Sequence, residues 1–453
     1  MIDFDAYVKF SRPGPRYTSY PTAPEFNENF SYETYTNLLK NGDKNRPLSL
    51  YFHMPFCRSA CYFCGCNVIY TSSEEKKERY LDYINREMDI LCEFLDNSRV
   101  VAQMHFGGGT PTFFDANQLE RHIKNIKKHF KNFSDDAEIS CEIDPRFLTK
   151  EQLKILVGNG FNRISFGVQD FDDEVQKIIH RVQPFEITQN AVKMAREFGI
   201  KSINMDLIYG LPHQNFEKFK NTLKLALDIN PDRFAVFNYA HVPWLKKSMR
   251  KFDETTLPNP AEKLKILKFT HDFLTKNGYK MIGMDHYAKP QDELFKALKN
   301  GSLHRNFQGY TTKGGADLIG IGLTSIGDGE NYYAQHFRDL NQYENAIDAK
   351  KLPLMRGIKL SDEDLLRKAV IMELMANFCV DILKIEKKFN INFFEKFKDE
   401  LKDLENLAEF VKISREKISV TPTGTLLIRN IAMCFDEYLK KMSEEKRKFS
   451  KTL

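Results

Sequence analysis

Before about residue 290, short apolar runs alternate with longer stretches whose apolar residues recur at helical spacing. The short runs are "PLSLYFHM" (47–54), "VAQMHF" (101–106), "EISCEID" (138–144), "RISFGVQ" (163–169), "SINMDLIYG" (202–210) and "RFAVFNYAH" (233–241). Length and β-branched or aromatic content predict strands. Between the first two, "KKERYLDYINREMDILCEFL" has the period of an amphipathic helix. Between the third and fourth, "TKEQLKILVGNG" opens on a capping box of Thr149 and Gln152, and Gly160 marks the helix end. Strands alternating with helices predict a parallel sheet of right-handed βαβ units. Polar and glycine-rich residues gather at the strand C-termini, which favours an α/β fold of the incomplete TIM-like (β/α)6 barrel type over a doubly wound sheet. A seventh strand, "GYKMIGMDHYA" (278–288), is a candidate to extend the sheet.

The flanks read differently. Residues 1–45 hold the turn-formers of "SRPGPRYTSYPTAPEF" and predict an irregular N-terminal arm; residues 46–330 form the barrel domain. From 331 to 453 a smaller, mostly helical domain is expected. "SDEDLLRKAVIMELMANF" is a helix with Ser361 as its N-cap, and "KISVTPTGTLLIRNIAMCF" reads as a hairpin followed by a helix, a winged element. A chain of 453 residues exceeds what one core organises, in keeping with this division.

A net charge of +5 is mild and argues against a nucleic-acid partner, while leaving an anionic substrate acceptable. The start, "MIDFDAYVKF", lacks the basic and apolar regions of a signal peptide, and no apolar run is long enough for a membrane span. A cytoplasmic protein is expected. Cys92, Cys141, Cys379 and Cys434 are scattered as reduced thiols are.

The other four cysteines crowd into "HMPFCRSACYFCGC" (53–66). Structural zinc draws ligand pairs from distant segments, whereas Cys57, Cys61, Cys64 and Cys66 share one loop. A ferredoxin run repeats two-residue gaps and has a proline after the fourth cysteine, whereas the order here is C-x3-C-x2-C and Asn67 follows Cys66. The third reading is a [4Fe–4S] cluster held by three thiolates, with one iron open to a small chelating ligand. C-x3-C-x2-C after a first barrel strand, with the aromatic Phe63 before the third cysteine, resembles the radical S-adenosylmethionine (AdoMet) superfamily. There, the open iron binds AdoMet, and one-electron reduction releases a 5′-deoxyadenosyl radical.

Within that superfamily the chain resembles the oxygen-independent coproporphyrinogen III oxidase family through motifs along nearly its whole length. They include "GPRYTSYPTA", "YFHMPFC", "FGGGTPT", "EIDPR", "NRISFGVQDF", "NMDLIYGLP", "NPDRFAVFNYAH", "IGMDHYAKPQDEL", "LHRNFQGYTT" and "LLIRNIAMCFD". The resemblance implies oxidative decarboxylation of two propionates of coproporphyrinogen III to vinyl groups, giving protoporphyrinogen IX for haem synthesis. It makes Cys57, Cys61 and Cys64 the cluster ligands, with Cys66 in the catalytic loop but not a ligand; a buried thiol is an equal reading of Cys66. It implies two AdoMet molecules. Tyr51, Gly108, Gly109, Thr110, Glu142 and Ile326 map onto contacts to the first. Phe63, Gly109, Thr110, Gln169, Arg181, Asp206 and Ala240 map onto contacts to the second. Tyr51 and His53 alternate on the strand entering the loop, so both can face the same cavity. A glycine run admits backbone close to a ligand, and "FGGGTPT" lacks the lysine of a P-loop.

The substrate implied is large, flat and four times negative, and an incomplete barrel leaves room that a closed one fills with side chains. Arginine forks bind carboxylates best. Arg16, in the arm expected to fold over the site, is the leading candidate, ahead of Arg163, Arg233 and Arg305. An electron-donating redox protein is the implied partner, and a monomer the implied state. A haem-binding trafficking protein of the same superfamily is the alternative. Relatives of that kind lack the arm and carry an aromatic at the position of Cys66, whereas this chain has both the arm and the cysteine. The basic stretch in "HVPWLKKSMRKFDETTLP" reads as a solvated face.

Overall fold

The computed structural model describes residues 5–442, 449, 450 and 452. They form two compact units, the larger from 26–266 and 315–359, the smaller from 1–25, 267–314 and 360–453.

In the larger unit each expected strand forms: β1 (Leu48–Met54), β2 (Val101–Gly108), β3 (Phe133–Ile143), β4 (Arg163–Gln169), β5 (Ser202–Tyr209) and β6 (Arg233–Asn238). They pair in chain order and all in parallel. Crossover helices connect them: α1 (Glu74–Leu91), α2 (Ala116–His129), α3 (Lys150–Gly158), α4 (Phe185–Glu197) and α5 (Phe216–Ile229). Beyond them come β7 (Asp317–Ile321), parallel to β1, and the antiparallel β8 (Ile326–Asp328), β9 (Tyr332–His336) and β10 (Leu354–Lys359). The sheet thus continues through Lys359, past the change of pattern near 330. Strand order is linear, so the barrel is incomplete.

One face of the sheet is apolar. Phe52, Phe106, Cys141, Ile164, Phe166, Ile203, Met205 and Phe234 are all almost fully buried. Each such aliphatic or aromatic side chain contributes about 1.5–3 kcal/mol by leaving water. The α3 capping box forms as its sequence requires: Gln152 N–H donates to Thr149 Oγ1 and the Gln152 amide is held in return. The Gln152 side-chain nitrogen, Nε2, donates to the Thr112 and Phe114 carbonyls at 2.7 and 2.8 Å, tying α3 to the turn after β2.

In the smaller unit, residues 278–288 give two short antiparallel strands, Lys280–Gly283 and His286–Ala288, not one continuous strand. Met284, at φ 30°, sits in the tight turn between them. Ser361 caps the helix Asp362–Asn377 as expected. Cys379–Asp381, Lys417–Val420 and Val411–Ile413 form a three-stranded antiparallel sheet, followed by the helix Ile428–Met433. Of the expected arm, only the part before residue 26 is fastened within this unit, where Arg429 donates to the Pro15 carbonyl and Asn430 to that of Phe10. Residues 26–45 belong to the larger unit and are not irregular throughout, since Tyr32–Asn41 is a helix capped by Ser31.

Candidate active site

Strand register puts polar side chains on the sheet's second face. Tyr51 lies opposite His105, His105 opposite Ser140, Glu142 opposite Ser165, Ser165 opposite Asn204 and Gly167 opposite Asp206. Because side chains alternate along a strand, this face carries all the polar groups that the buried face excludes. They form a hydrogen-bonded band. His53 Nε2 donates to the Asn67 carbonyl at 3.0 Å, so its Nδ1 accepts the Tyr51 hydroxyl at 3.0 Å. Tyr51 stacks on His105 with centroids 5.8 Å apart. His105 contacts Ser140 Oγ at 2.6 Å and Glu142 Oε1 at 3.4 Å.

Glu142 is the centre of the band. Burial opposes its charge, but His105, the Gly108 N–H and His53 together hold its carboxyl below the ordinary value. Asp206 behaves oppositely. Burial and the nearby Glu142 charge push it up to about 7, although Ser165 and Asn204 donate to it. Two carboxylates in one cavity are thus split into an ionised and a readily protonated one.

The glycines of "FGGGTPT" are required by close approach. Gly108 has φ 109°, and a Cβ there would lie 2.5 Å from the His53 ring. A Cβ on Gly109 would lie 2.8 Å from backbone atoms of Pro55 and Phe56. Gly109 and Thr110 N–H groups donate to the Met54 and Phe56 carbonyls at 2.8 and 3.0 Å, so the glycine turn clasps the start of the cysteine loop.

That loop is anchored on three sides. Cys57 lies in a short parallel pair with Tyr70, its sulfur 3.4 Å from Thr110 Oγ1. Arg181 Nη1 reaches Cys61 Sγ at 3.6 Å and Asp144 at 3.1 Å, while Nη2 donates to the Gly167 carbonyl at 2.6 Å. Tyr62 and Phe63 pack against the apolar cluster of Val175, Ile179, Tyr239, Met249 and Phe252. A hydrogen bond with Cys66, aided by the charges of Lys246 and Arg181, lowers the pKa of the Cys64 thiol against its burial. Cys66 itself is exposed.

All eight cysteines are free thiols. Among the described residues no three His, Cys, Asp or Glu side chains converge on a single-ion site. A cubane instead needs three soft donors aimed at separate irons, which one loop carrying Cys57, Cys61 and Cys64 can supply. The buried Arg181 also keeps an Nε without a hydrogen-bond partner. Such an orphaned donor fits a bound anionic group.

Of the residues singled out in the sequence, Tyr51, His53, Cys57, Cys61, Cys64, Cys66, Phe63, Gly108, Gly109, Thr110, Glu142, Gln169, Arg181, Asp206, Ala240 and Ile326 all lie in the larger unit. Gln169 takes φ 73° where the β4–β5 register shifts, Ala240 is exposed just past β6, and Ile326 opens β8. Arg163 and Arg233 instead open β4 and β6, at the strand ends opposite the loop; Arg163 lies 3.7 Å from Glu138. Seven residues of strand put Arg163 roughly 20 Å from Gln169. Arg16 and Arg305 lie in the smaller unit. Arg16 pairs with Asp285, a carboxyl held far below its usual range against burial by Arg16, His286 and Arg305. Arg305 is buried over the Tyr310 ring at 4.7 Å, and its Nε and Nη1 have no hydrogen-bond partner. Sequence reasoning missed His105, Ser140, Ser165 and Asn204, all of which share the period-two face of Glu142 and Asp206. It also missed Asp144, which holds Arg181.

Residues 51–226 match the Radical SAM superfamily, and 360–427 match the HemN C-terminal domain. The chain is 56% identical to the oxygen-independent coproporphyrinogen III oxidase of Helicobacter pylori over 100% of this chain and 99% of that one. It is 46% identical to that of Escherichia coli over 97% and 96%. The solved structure of coproporphyrinogen III oxidase (HemN) from Escherichia coli, described as a radical SAM enzyme, superposes with a TM-score of 0.92 at 45% identity, covering 97% of this chain and 100% of that one.

Proposed function

Since the chain belongs to the oxygen-independent coproporphyrinogen III oxidases of the radical SAM superfamily, we propose that it converts two propionate side chains of coproporphyrinogen III to vinyl groups without oxygen, giving protoporphyrinogen IX. The observation that carries this reading is the identity to the oxidases over essentially the full length, which includes the N-terminal arm, joined to the three-thiol loop beside the Glu142 band. The same evidence favours the oxidase over a haem-trafficking protein.

The family works with a [4Fe–4S] cluster and AdoMet, which together supply a carbon-centred radical able to take hydrogen from the propionate β-carbon. Cys57, Cys61 and Cys64 are the residues to hold the cluster. Glu142, Tyr51, Gly108 and Ile326 line the place for one AdoMet, where the ionised Glu142 offers acceptors to an ammonium group or to ribose hydroxyls. We assign a second AdoMet to Phe63, Gly109, Thr110, Gln169, Arg181, Asp206 and Ala240; the unpartnered Arg181 Nε supports a carboxylate there. His53 and Cys66 frame the loop between them.

For the substrate carboxylates, Arg305 is the stronger choice, because two of its donors are unpaired while Asp285 already neutralises Arg16. We retain Arg16 as the arm's contribution, with Asp285 setting its direction. No helix among the described residues is long and apolar enough to cross a membrane. The free thiols support a cytoplasmic site of action and an external redox protein as electron source; a monomer is the simplest state for this reading. The test is an anaerobic assay with coproporphyrinogen III, AdoMet and dithionite, read as vinyl product. Cluster assembly and AdoMet cleavage with no vinyl product would leave only the superfamily.

A further inference from the structure

The cysteine loop is roofed by a surface with its own character. Trp244 and Leu245, side by side, are 57% and 70% exposed. Trp244 is the chain's one tryptophan. Lys246, Lys247, Arg250 and Lys251 follow them in the chain, and from Val242 to Phe252 there is no acidic side chain; Asp253 and Glu254 come next, Glu254 held 3.0 Å from His241. A solvated charge run explains four cations but not a bare aromatic–aliphatic pair beside them. Large exposed apolar side chains next to a cluster of one sign of charge are the anatomy of an interface with an oppositely charged partner.

This surface is tied directly to the cluster loop. Lys246 Nζ donates to the Cys66 carbonyl at 2.7 Å. Lys251 Nζ sits 4.3 Å above the Tyr62 ring and donates to its hydroxyl at 3.1 Å. Beneath, Met249 and Phe252 join Tyr62 and Phe63 in one apolar cluster, so the segment is seated on the loop and not merely near it. Tyr62 also stacks on His180 at 4.9 Å, fixing the far side of the loop.

We propose that residues 244–251 are the docking surface for a small acidic redox protein that passes single electrons to the cluster held by Cys57, Cys61 and Cys64. The proposal rests on the radical AdoMet reading above, which requires one electron from outside for each AdoMet cleaved. The donor's reduced centre is oxidised by one electron: an anionic flavin hydroquinone becomes the neutral semiquinone, or an iron–sulfur centre loses one electron, and no proton is released in either case. The chain's cluster gains that electron, and no bond forms between the proteins. Positive charge at the entry raises the encounter rate with an acidic donor and makes it fall with salt, while Trp244 and Leu245 supply the desolvated centre.

The test uses the full-length, cluster-loaded enzyme and flavodoxin, an acidic flavin protein, as probe. With 5-fluorotryptophan incorporated, Trp244 gives a single fluorine resonance. Oxidised flavodoxin is expected to shift it at low salt and not at about 1 M salt, where screening acts within about 3 Å. Lys247→Glu with Arg250→Glu should abolish the shift and slow flavodoxin-driven AdoMet cleavage about tenfold or more, with dithionite-driven cleavage unchanged. Trp244→Ser with Leu245→Ser, which leaves every charge in place, should weaken flavodoxin-driven cleavage in the same selective way. An unmoved resonance in the wild type, or equal losses under both reductants, overturns the docking surface. Failure of the wild type to cleave AdoMet with dithionite overturns the radical reading on which it rests.

Discussion

Glu142, on β3, accepts the backbone N–H of Gly108, at the end of β2, across 3.2 Å. Gly108 donates that N–H from a φ of 109°, which side chains rarely adopt, and the His53 ring fills the space a Cβ would need. The glycine turn is therefore part of the same device as the carboxylate: it helps keep Glu142 ionised while clasping the cysteine loop through Gly109 and Thr110.

Replacing Glu142 with Gln keeps the shape and removes the charge. A hydrogen bond to a charged group contributes about 1.5–3 kcal/mol, so AdoMet should bind roughly 10- to 100-fold more weakly. Iron content should not change, because Glu142 is not among the three thiol donors. Equilibrium dialysis with AdoMet and iron analysis on one preparation check both. Unaltered AdoMet affinity would remove Glu142 from the AdoMet site.

Cys61 and Cys66 share a loop but differ in expected consequence. Cys61→Ala should reduce reconstituted iron from about four per chain to near zero and eliminate AdoMet cleavage. Cys66→Ala should retain the iron, since the exposed Cys66 is not assigned as a ligand. Iron analysis and the visible absorption of the cluster read both outcomes; loss of iron in Cys66→Ala would make it a fourth donor.

The legible parts of the molecule were those written in a local period. The six strands carry continuous or alternating apolar residues, and Thr149 and Gln152 spell out a cap that forms as written. Glu142 came from the family resemblance, while the period of two along "EISCEID" and "AQMHF" that brings Ser140 and His105 to its side is written in the sequence as well. What was not legible depends on distant segments meeting. β7 to β10 are three to six residues long, too short for a periodic signal, and belong to the sheet only through their pairing with β1 and one another. Arg16 finds Asp285 from 269 residues away, and no local pattern announces that the arm's arginine arrives already paired.

Arg305 has buried donors awaiting an acceptor, a costly state without one. Arg305→Ala is expected to raise the KM for coproporphyrinogen III about 10- to 100-fold, the worth of a charge-assisted carboxylate contact. Arg305→Lys should recover part of it, because an ammonium keeps the charge without the fork. AdoMet cleavage in the absence of substrate should match the wild type. Steady-state kinetics under argon decide; an unchanged KM would leave the carboxylates to other residues.

Glu87 gives a pH dependence of stability that can be isolated from the chemistry. It is buried on α1, accepting from the Tyr343 hydroxyl at 2.5 Å and the Gly322 N–H at 2.9 Å, with His336 Nδ1 3.3 Å away. Burial pushes its carboxyl up to about 8 from 4.5. Between those values the folded chain holds a proton that the unfolded chain has released, so this group's contribution to stability falls as pH rises. His336, lowered by burial to about 4 from 6.5, has the opposite slope, but only below 6.5. Above that pH, Glu87 acts without this opposition, at up to about 1.4 kcal/mol per pH unit. Urea denaturation should therefore show the wild type losing about 2 kcal/mol more than Glu87→Gln between pH 6.5 and 8. Parallel pH profiles for the two proteins would mean that Glu87 is already ionised in the fold, held so by Tyr343 and Gly322 in spite of its burial.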